Sequence, residues 1–360
     1  MKKFLAGFAL SLALFSWGCA SGPGPSSPDG DAAGRQSVQR RVLLVALDGL
    51  RSDALLRYAP NLRTLGEKNL ATWTSRVAIP ISAPSWCTVL SGLSHERTGV
   101  TNNAFTGKTL QPSDNRLAQG TEKTLFGHLR ESQVVCSVIS SGTWDGIEKI
   151  AGYQSATPHN RRAISPNNRP HNERASQRKG IAMALEDLAS PEIDFVTFYT
   201  HHIDNAGHLF GHDPDVFQYA SAIQDADADL ARLFRAVEER ERNHPEEWLV
   251  VITTDHGGSS RWKLEKSPEG RKVLATFDAD PQIHAGISQR HLEGIHGLRS
   301  DDALGHEQTT TFIILKRGDR QGDLGAGRTN RDIAPTILRY LLPGRNDLLE
   351  QMDGNSIDLR

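Results

Sequence analysis

Residues 42–49 read Val-Leu-Leu-Val-Ala-Leu-Asp-Gly, an unbroken apolar run that ends in an acidic turn. Apolar runs of this length without alternation are typical of strands that are buried on both faces of a parallel sheet. Similar runs recur at residues 134–139, 193–199, 249–253 and 311–315. The repetition predicts a set of buried strands, of which residues 42–47 form the first.

Helical patterns fill the intervals between these strands, and several begin with Asp, Ser, Thr or Pro, which are favoured at helix N-termini. Strands that alternate with helices predict one doubly wound α/β domain, with a mostly parallel sheet and helices on both faces. Residues 260–294 show no convincing periodicity. The predicted helices span residues 60–69, 84–90, 121–131, 172–188, 214–241 and 332–342.

The beginning of the chain has the composition of an export signal. Lys2 and Lys3 precede the apolar run 4–15, so we read residues 1–18 as a signal peptide that is too short to span a membrane. Residues 19–41 are predicted to be a flexible tether rich in Gly, Pro and Ser, and residues 42–360 a single domain.

Cys19 stands where a bacterial lipoprotein signal places its lipidated cysteine, although Ser16 replaces the usual Leu three positions before it. We therefore expect the protein to act outside the cytoplasm. The favoured location is that of a bacterial lipoprotein at the outer membrane or periplasmic face, attached only through lipidated Cys19, and the alternative is a secreted or periplasmic protein.

The charge balance excludes a polyanionic partner. The chain has 360 residues, with 41 Lys and Arg against 43 Asp and Glu. Proteins that bind nucleic acid through its phosphates need a basic excess, which is absent here. We expect no nucleic-acid partner.

Two cysteines follow Cys19 in the chain. Cys87 falls in a helical pattern and Cys136 in an apolar strand. An exported protein can form a disulfide, but apolar surroundings favour buried thiols equally well. The sequence leaves the choice open.

Acidic and imidazole side chains follow three of the predicted strands. Asp48 ends the first, Asp204 and His208 come after the third, and Asp255 and His256 end the fourth. The carboxyl ends of parallel strands form one crevice, so these side chains should gather there. Each has an ordinary explanation by itself, such as a turn aspartate or a surface histidine, but their joint occurrence favours a metal site.

The ligand chemistry of these residues fits zinc. Asp204 and His208, four residues apart on a helical turn, would share one face, and Gly257 and Gly258 allow Asp255 and His256 to turn toward a second ion. Oxygen and imidazole ligands without thiolates are typical of catalytic Zn²⁺. Two ions roughly 4 Å apart would hold the attacking and leaving oxygens of a displacement at phosphorus.

These motifs resemble those of a known family. Residues 42–49, the segment Asp204-Asn-Ala-Gly-His-Leu-Phe-Gly (204–211) and the segment Thr-Thr-Asp-His-Gly-Gly (253–258) resemble the metal motifs of the alkaline phosphatase superfamily, especially its type I phosphodiesterase/nucleotide pyrophosphatase branch. Residues 332–338 and 352–354 resemble the closing helix and tail of that branch.

The resemblance implies an exported two-zinc hydrolase that cleaves phosphodiester-type bonds in small phosphate esters or nucleotide-like substrates. Residues 82–92, Ser-Ala-Pro-Ser-Trp-Cys-Thr-Val-Leu-Ser-Gly, resemble the nucleophile helix, in which the attacking hydroxyl stands two positions before the Pro. That residue is Ser82, which would form a phosphoseryl intermediate. Asn103 resembles the side chain that binds a non-bridging phosphate oxygen.

The resemblance also implies how the ligands divide between the two Zn²⁺ ions. One ion would be held by Ser82 and three further side chains, and the other by two side chains and a third imidazole. His296 is favoured for the third imidazole because a His-Gly pair precedes the last long strand, with His284, His291 and His306 as alternatives. The implied sets are Asp48, Ser82, Asp255 and His256 for the first ion, and Asp204, His208 and His296 for the second.

Three further histidines surround Asp204 without matching a ligand position. We read His201 and His202 as supporting or surface residues and favour a surface position for His212.

The neutral Asn103 favours a singly charged diester, whose second ester group would lie against Trp86, Phe105 or a loop side chain. The alternative is a monoester, served by an arginine from a distant loop, such as Arg161, Arg162 or Arg261.

Other functions remain open at this stage. A phosphomonoesterase or a phosphonate hydrolase could use the same metals. A sulfatase would need Arg at the fifth position of the segment Ser82-Ala-Pro-Ser-Trp86, where Trp stands instead. A surface lipoprotein that only binds ligands is the alternative from another class, and the competent residue at every aligned metal position argues against it.

Overall fold

The structure, a computed structural model, describes residues 38–105, 123–151, 160–162, 173–279, 293–297 and 305–359. The predicted signal peptide and most of the tether, including Cys19, lie outside these residues. Val38–Arg360 forms one compact unit. No helix among the described residues combines the length and apolarity needed to cross a bilayer.

Among the described residues, eight strands form the main sheet, in the order β10-β2-β9-β6-β1-β5-β3-β4, and β7 pairs with β8 in a separate two-stranded sheet. Strand β9 runs antiparallel to both of its neighbours, whereas the other pairs of the main sheet are parallel. The predicted α/β fold with a mostly parallel sheet is confirmed. The strands are β1 Gln39–Leu47, β2 Leu70–Arg76, β3 Cys136–Ser141, β4 Asn160–Arg162, β5 Phe195–Thr200, β6 Glu246–Thr254, β7 Ser259–Ser260, β8 Gly294–Ile295, β9 Thr310–Lys316 and β10 Gly322–Asp323.

Helices cover both faces of the sheet. A 3₁₀ turn over Asn330–Asp332 leads into the second-last helix. The helices are α1 Ser52–Tyr58, α2 Pro60–Glu67, α3 Ser82–Ser91, α4 His95–Thr98, α5 Leu125–Glu131, α6 Gly146–Ala151, α7 Glu173–Ala189, α8 His202–Phe210, α9 Phe217–Asn243, α10 Arg261–Leu264, α11 Pro268–Ala279, α12 His306–Thr309, α13 Ile333–Leu341 and α14 Asn346–Leu349.

Strand β1 explains why the sequence needs an unbroken apolar run. Alternate side chains of residues 42–47 enter two different cores, one under α3, α5, α6 and α13 and the other under α1, α2, α7, α8 and α9. Every residue of the run is fully buried. Since successive strand residues point to opposite faces, a strand between two helical layers needs apolar side chains at every position.

Several elements were not predicted from the sequence, and β2 and α11 are two of them. Strand β2 mixes buried and exposed residues and directly follows α2, so its pattern continues the predicted helix to Asn69. Helix α11 lies within residues 260–294, where we saw no periodicity, and buries only Gly270, Leu274 and Phe277. Both elements lie at the periphery, where few apolar positions reveal the period.

A buried ion pair closes the amino-terminal edge of the central strands. The Arg41 guanidinium lies 3.0 Å from Glu246 at the start of β6, and both side chains are at least 95% buried. It also donates to the carbonyls of Pro191 and Ile193, in the turn that leads to β5. Arg41 thus joins the ends of three adjacent strands.

We predict that Arg41→Leu lowers the free energy of unfolding by about 3 kcal/mol, because a buried carboxylate and buried carbonyls lose their partner. Denaturant unfolding of the purified variant measures this loss. Arg57→Leu is the matched control, since Arg57 pairs with Asp215 on the exposed surface and should leave the midpoint unchanged. Equal midpoints for both variants would contradict the assignment.

Candidate active site

Three neighbouring strands end level with one another at the carboxyl edge of the sheet. Leu47, the last residue of β1, pairs with both Thr200 of β5 and Thr254 of β6. Asp48 and Asp255 therefore follow at equivalent positions, and Asp204 comes from the first turn of α8, directly after β5. The register of the sheet brings three carboxylates together.

The unprotonated ring nitrogen of His256 lies close to three side-chain oxygen atoms. Its Nδ1 lies 2.8 Å from the Gly257 carbonyl, which can only accept, so Nδ1 carries the proton and Nε2 has a free lone pair. Nε2 lies 3.2 Å from the Ser82 hydroxyl, 3.2 Å from Asp255 Oδ2 and 3.7 Å from Asp48 Oδ1. The Ser82 hydroxyl can donate to this lone pair, whereas the two carboxylate oxygens repel it when they are ionised, and a cation between them would relieve the repulsion.

Two buried carboxylate oxygens point to the same place. Asp48 Oδ1 and Asp255 Oδ2 are fully buried and accept no hydrogen bond from the described residues. The other oxygen of each carboxylate accepts hydrogen bonds. Asp48 Oδ2 accepts from Tyr199 Oη and from Trp86 Nε1 at 3.2 Å. Asp255 Oδ1 accepts from Gly49 N at 3.1 Å. Each carboxylate is thereby fixed with one oxygen presented to the centre, which fits a metal ion.

A second group of ligand atoms adjoins the first. Asp204 Oδ2 lies 3.0 Å from His208 Nε2, which lies 3.1 Å from His296 Nε2. His296 Nδ1 is 3.0 Å from the Pro80 carbonyl, so it is protonated and Nε2 is bare. Atoms of Asp204, His256 and His296 also lie within 4.8 Å of one another. These residues fit a second ion beside the first.

Burial and mutual repulsion perturb the titration of the carboxylates. Burial, together with the charge of Asp204, raises the pKa of Asp48 to about 6. Burial and the charges of Asp48 and Asp204 raise the pKa of Asp255 well above its usual value. The pKa of Asp204 is instead held well below its usual value, because interactions with His208, His201 and His212 outweigh the effect of burial. Without a cation, the first group is electrostatically strained.

Ser82 is the first residue of α3 and is 4% exposed. The next amide, Ala83 N, donates to Asn103 Oδ1 at 2.9 Å. This bond fixes the Asn103 side chain beside the serine and uses its acceptor, so that its amide nitrogen remains as a donor. A hydroxyl and a neutral donor are thus held side by side.

The family is decided by a match over most of the chain. The family model of type I phosphodiesterase/nucleotide pyrophosphatase matches residues 42–266. The chain belongs to this family. It is therefore a phosphoric ester hydrolase of the alkaline phosphatase superfamily. Among curated proteins, none matches the sequence.

Solved structures show that the fold is shared. Human ectonucleotide pyrophosphatase/phosphodiesterase 5 is 17% identical, with a TM-score of 0.59 over 84% of this chain and 95% of that chain. An inactive variant of the murine protein, in complex with AMP, is 16% identical, with a TM-score of 0.58 and the same coverage. The alkaline phosphatase PafA is 12% identical, with a TM-score of 0.59 over 85% of this chain and 96% of that chain.

The fold is also shared with a sulfatase, which hydrolyses a different class of ester. A 2-O GAG sulfatase is 14% identical, with a TM-score of 0.55 over 89% of this chain and 75% of that chain. Identities this low carry the fold alone and leave the type of ester undecided.

The structure of this phosphodiesterase family member corrects two expectations. His212 is fully buried rather than on the surface, and its Nε2 lies 2.9 Å from Asp204 Oδ1. Trp86 is fully buried beneath Asp48 and cannot line a substrate pocket. His201 contacts both Asp204 and Glu173 at 3.5 Å, as a supporting residue would.

Some site residues could not be found from the sequence. Tyr199 ends an apolar strand and reads as a core residue, although its hydroxyl binds Asp48. Glu173 lies far from any motif. Among the alternatives to His296, His306 is in α12 with its Nδ1 3.4 Å from Thr310 Oγ1, and His284 and His291 lie outside the described residues.

The two cysteines are buried as free thiols. Burial raises the pKa of both Cys87 and Cys136, so neither forms a thiolate at neutral pH.

We predict that Asp48→Asn stabilises the metal-free protein by about 3 kcal/mol at pH 8. A carboxyl whose folded-state pKa is raised stabilises the fold below its ordinary pKa and loses this contribution as the pH rises through 6. The advantage of the variant should therefore vanish near pH 4. Thermal unfolding after chelation measures it, and the exposed Asp215→Asn serves as the control. An Asp48→Asn protein that is less stable at pH 8 would contradict the repulsion.

Proposed function

We propose that the protein is an exported two-zinc hydrolase that cleaves phosphodiester-type bonds through a phosphoseryl intermediate on Ser82. The observation that carries the proposal is the convergence of the bare His256 Nε2, the Ser82 hydroxyl and two carboxylate oxygens without hydrogen-bond donors. A metal cation can accept a lone pair from each of these four atoms.

The chain's own residues would hold the two ions in adjacent sets. The first set is Asp48, Ser82, Asp255 and His256, and the second is Asp204, His208 and His296. Oxygen and imidazole donors without a thiolate favour Zn²⁺ in a catalytic site. When bound, such ions lower the pKa of a coordinated hydroxyl and neutralise charge on the transferring phosphoryl group.

Ser82 supplies the nucleophile in this scheme. Its Oγ loses its proton to solvent and forms a bond to phosphorus while the bond to the leaving-group oxygen breaks, and that oxygen takes a proton from solvent. Water then attacks phosphorus and loses a proton, the bond from phosphorus to Ser82 Oγ breaks, and Oγ is reprotonated. Asn103 lies beside Ser82 with its amide nitrogen available to a non-bridging phosphate oxygen. The helix start directs backbone N–H groups toward the same charge.

Charge around the nucleophile supports diesters over monoesters. The Arg97 guanidinium lies 2.8 Å from Asp353, and that of Arg261 makes a bidentate ion pair with Asp278. Among the described residues, the neutral Asn103 amide is a donor group held beside Ser82 by the bond from Ala83 N. A single neutral donor suits the single charge of a diester. The AMP complex of the murine structure supports a nucleotide-like substrate.

In this proposal, the side chain of Phe105 would contact the second ester group of the substrate. This ring is partly exposed in the turn after Asn103, and Lys149 Nζ lies 5.7 Å from its centroid. With Trp86 excluded by its burial, Phe105 is the candidate that remains of the two aromatic residues considered.

A sulfatase is the second candidate, favoured by the shared fold. The segment Ser82-Ala-Pro-Ser-Trp86 argues against it, because the fifth position is a buried Trp whose indole supports Asp48. An Arg there would place a second charge in the core.

Export rests on the sequence of the first 41 residues. We propose a lipoprotein attached through Cys19, so that the hydrolase meets its substrates outside the cytoplasm.

Removal of metal should abolish hydrolysis, and Zn²⁺ should restore it, because the cations that would activate Ser82 and neutralise the phosphoryl charge are lost. Activity against a nitrophenyl diester, measured before and after dialysis with chelator, tests this. Mg²⁺ is the control, since it prefers sites without imidazole. Full activity of protein shown to be metal-free would overturn the cofactor assignment.

Ser82→Ala should keep both ions yet reduce kcat by at least about 10³-fold, because the covalent route is lost. Thr88→Ala, on the same helix with its hydroxyl bonded to the Pro84 carbonyl, is the matched control and should stay active. A substrate with a chiral phosphorus should react with net retention. Inversion would refute the intermediate.

Diesters should have a higher kcat/KM than monoesters with the same leaving group. Nitrophenyl phosphate compared with a nitrophenyl nucleotide or a nitrophenyl phenylphosphonate gives the ratio, and nitrophenyl sulfate tests the rival. Phe105→Ala should lower kcat/KM for the diester more than for the monoester, because only the diester has a second ester group. A clear monoester preference would reverse this choice and leave Ser82 and the metal sets untouched.

A further inference from the structure

His212 lies against the second ligand set but is not one of its ligands. Its imidazole is fully buried, and Nε2 lies 2.9 Å from Asp204 Oδ1. A carboxylate oxygen accepts, so Nε2 carries a proton and donates. Nε2 therefore has no lone pair for a metal, and Nδ1 lies against Gly258 and Gly294, which leaves His212 a partner of Asp204.

We propose that His212 is a positioning residue, which turns the Asp204 carboxylate so that Oδ2 alone is offered to the second ion. Oδ2 is the oxygen that lies 3.0 Å from His208 Nε2, and Oδ1 is the oxygen that His212 holds. Donors behind a ligand fix its orientation and strengthen metal binding. The inference rests on the two-metal function proposed above.

Packing around the imidazole restricts its position independently of the bond to Asp204. Three glycines enclose the ring, and a Cβ atom at Gly207, Gly258 or Gly294 would overlap it. The His212 carbonyl accepts from Arg51 Nη1 at 3.1 Å, which ties its backbone to the turn after β1. A ring confined by these neighbours can fix the orientation of the carboxylate that it contacts.

The energetics also argue against a role as filler. His212 Nδ1 is buried and has no hydrogen-bond partner among the described residues, so the ring carries a desolvation cost. An apolar side chain of similar volume would fill the space without that cost. The bond from Nε2 to Asp204 is the polar interaction that accounts for an imidazole here.

Three substitutions of His212 distinguish the effect of the hydrogen-bond donor from the effect of side-chain volume. His212→Gln keeps an N–H donor at the same number of bonds from Cβ as Nε2, His212→Asn moves the donor closer to Cβ, and His212→Met fills space without a donor. Competitive titration with a chromophoric zinc chelator gives the affinity of each site. His208→Ala is the reference that identifies the second site, and thermal unfolding of the metal-free variants reports their folding.

We expect the second site to weaken about 10- to 100-fold in the Asn and Met variants. It should stay close to wild type in the Gln variant, while the first site is unchanged in all three. Equal affinities in every variant, or a Gln variant as weak as Met, would overturn the positioning role and leave the proposed function standing. Wild-type protein that binds no zinc would instead refute the proposed function itself.

A second measurement needs no variant. Nitrogen-15 NMR of the wild-type protein distinguishes a protonated from a bare ring nitrogen, and His212 should show a protonated Nε2 and a bare Nδ1, with zinc and without it. The opposite tautomer would overturn the proposal, because Nε2 could then not donate to Asp204.

Discussion

Like-charge repulsion at the carboxyl edge of the sheet is the constraint on which the site depends. Asp48, Asp204 and Asp255 are all buried within one small region, where two unit charges about 4 Å apart repel by about 4 kcal/mol at an effective dielectric constant of 20. The surroundings of the three carboxylates differ in how they treat this repulsion. Asp204 is surrounded by imidazoles that stabilise its charge, whereas Asp48 and Asp255 each keep an oxygen without a donor.

The rest of the fold holds these charges in place. The level ends of β1, β5 and β6 set their positions, and the two cores beneath keep the strands from shifting. Arg51 links several segments at this edge of the sheet, because its guanidinium donates to the carbonyls of His212 and Gly258 and to Glu307. The segments that follow β1, α8 and β6 are thereby joined, so that the protein's own contacts hold the candidate ligands in place.

The sequence predicted the parts of the fold whose signal is local. Residues 42–47 are apolar at every position because the strand has a core on each face, and this pattern alone indicated the central sheet. Strand β2 was missed since its half-exposed pattern runs on from α2, and α11 because it buries few residues. Peripheral elements carry weak periodicity, so composition cannot reveal them.

The sequence predicts site residues that are close to one another in the chain. It does not predict those that only tertiary packing brings to the site. Asp204 and His208 share a helix, and their spacing predicts that they share a face. His212 has the same spacing from His208, but α8 ends at Phe210 and Gly211 has a φ of +108°, so helical periodicity does not extend to it. Tyr199 and Glu173 reach the site through tertiary packing, which no spacing encodes. The nucleophile and the third imidazole came from family resemblance alone.

The two buried thiols have a consequence for which metals the protein can take up. Cys87 lies on the same helix as Ser82 but turns its sulfur into the core, and Cys136 is buried in β3. Soft ions such as Cu(I) seek thiolates, whereas borderline ions accept imidazole and carboxylate. Because the helix carries its hydroxyl to one side and its sulfur to the other, a soft contaminant finds no thiolate among the described ligands. A metal ion at the candidate site would therefore meet imidazole and oxygen donors, and no sulfur, among the described ligand groups.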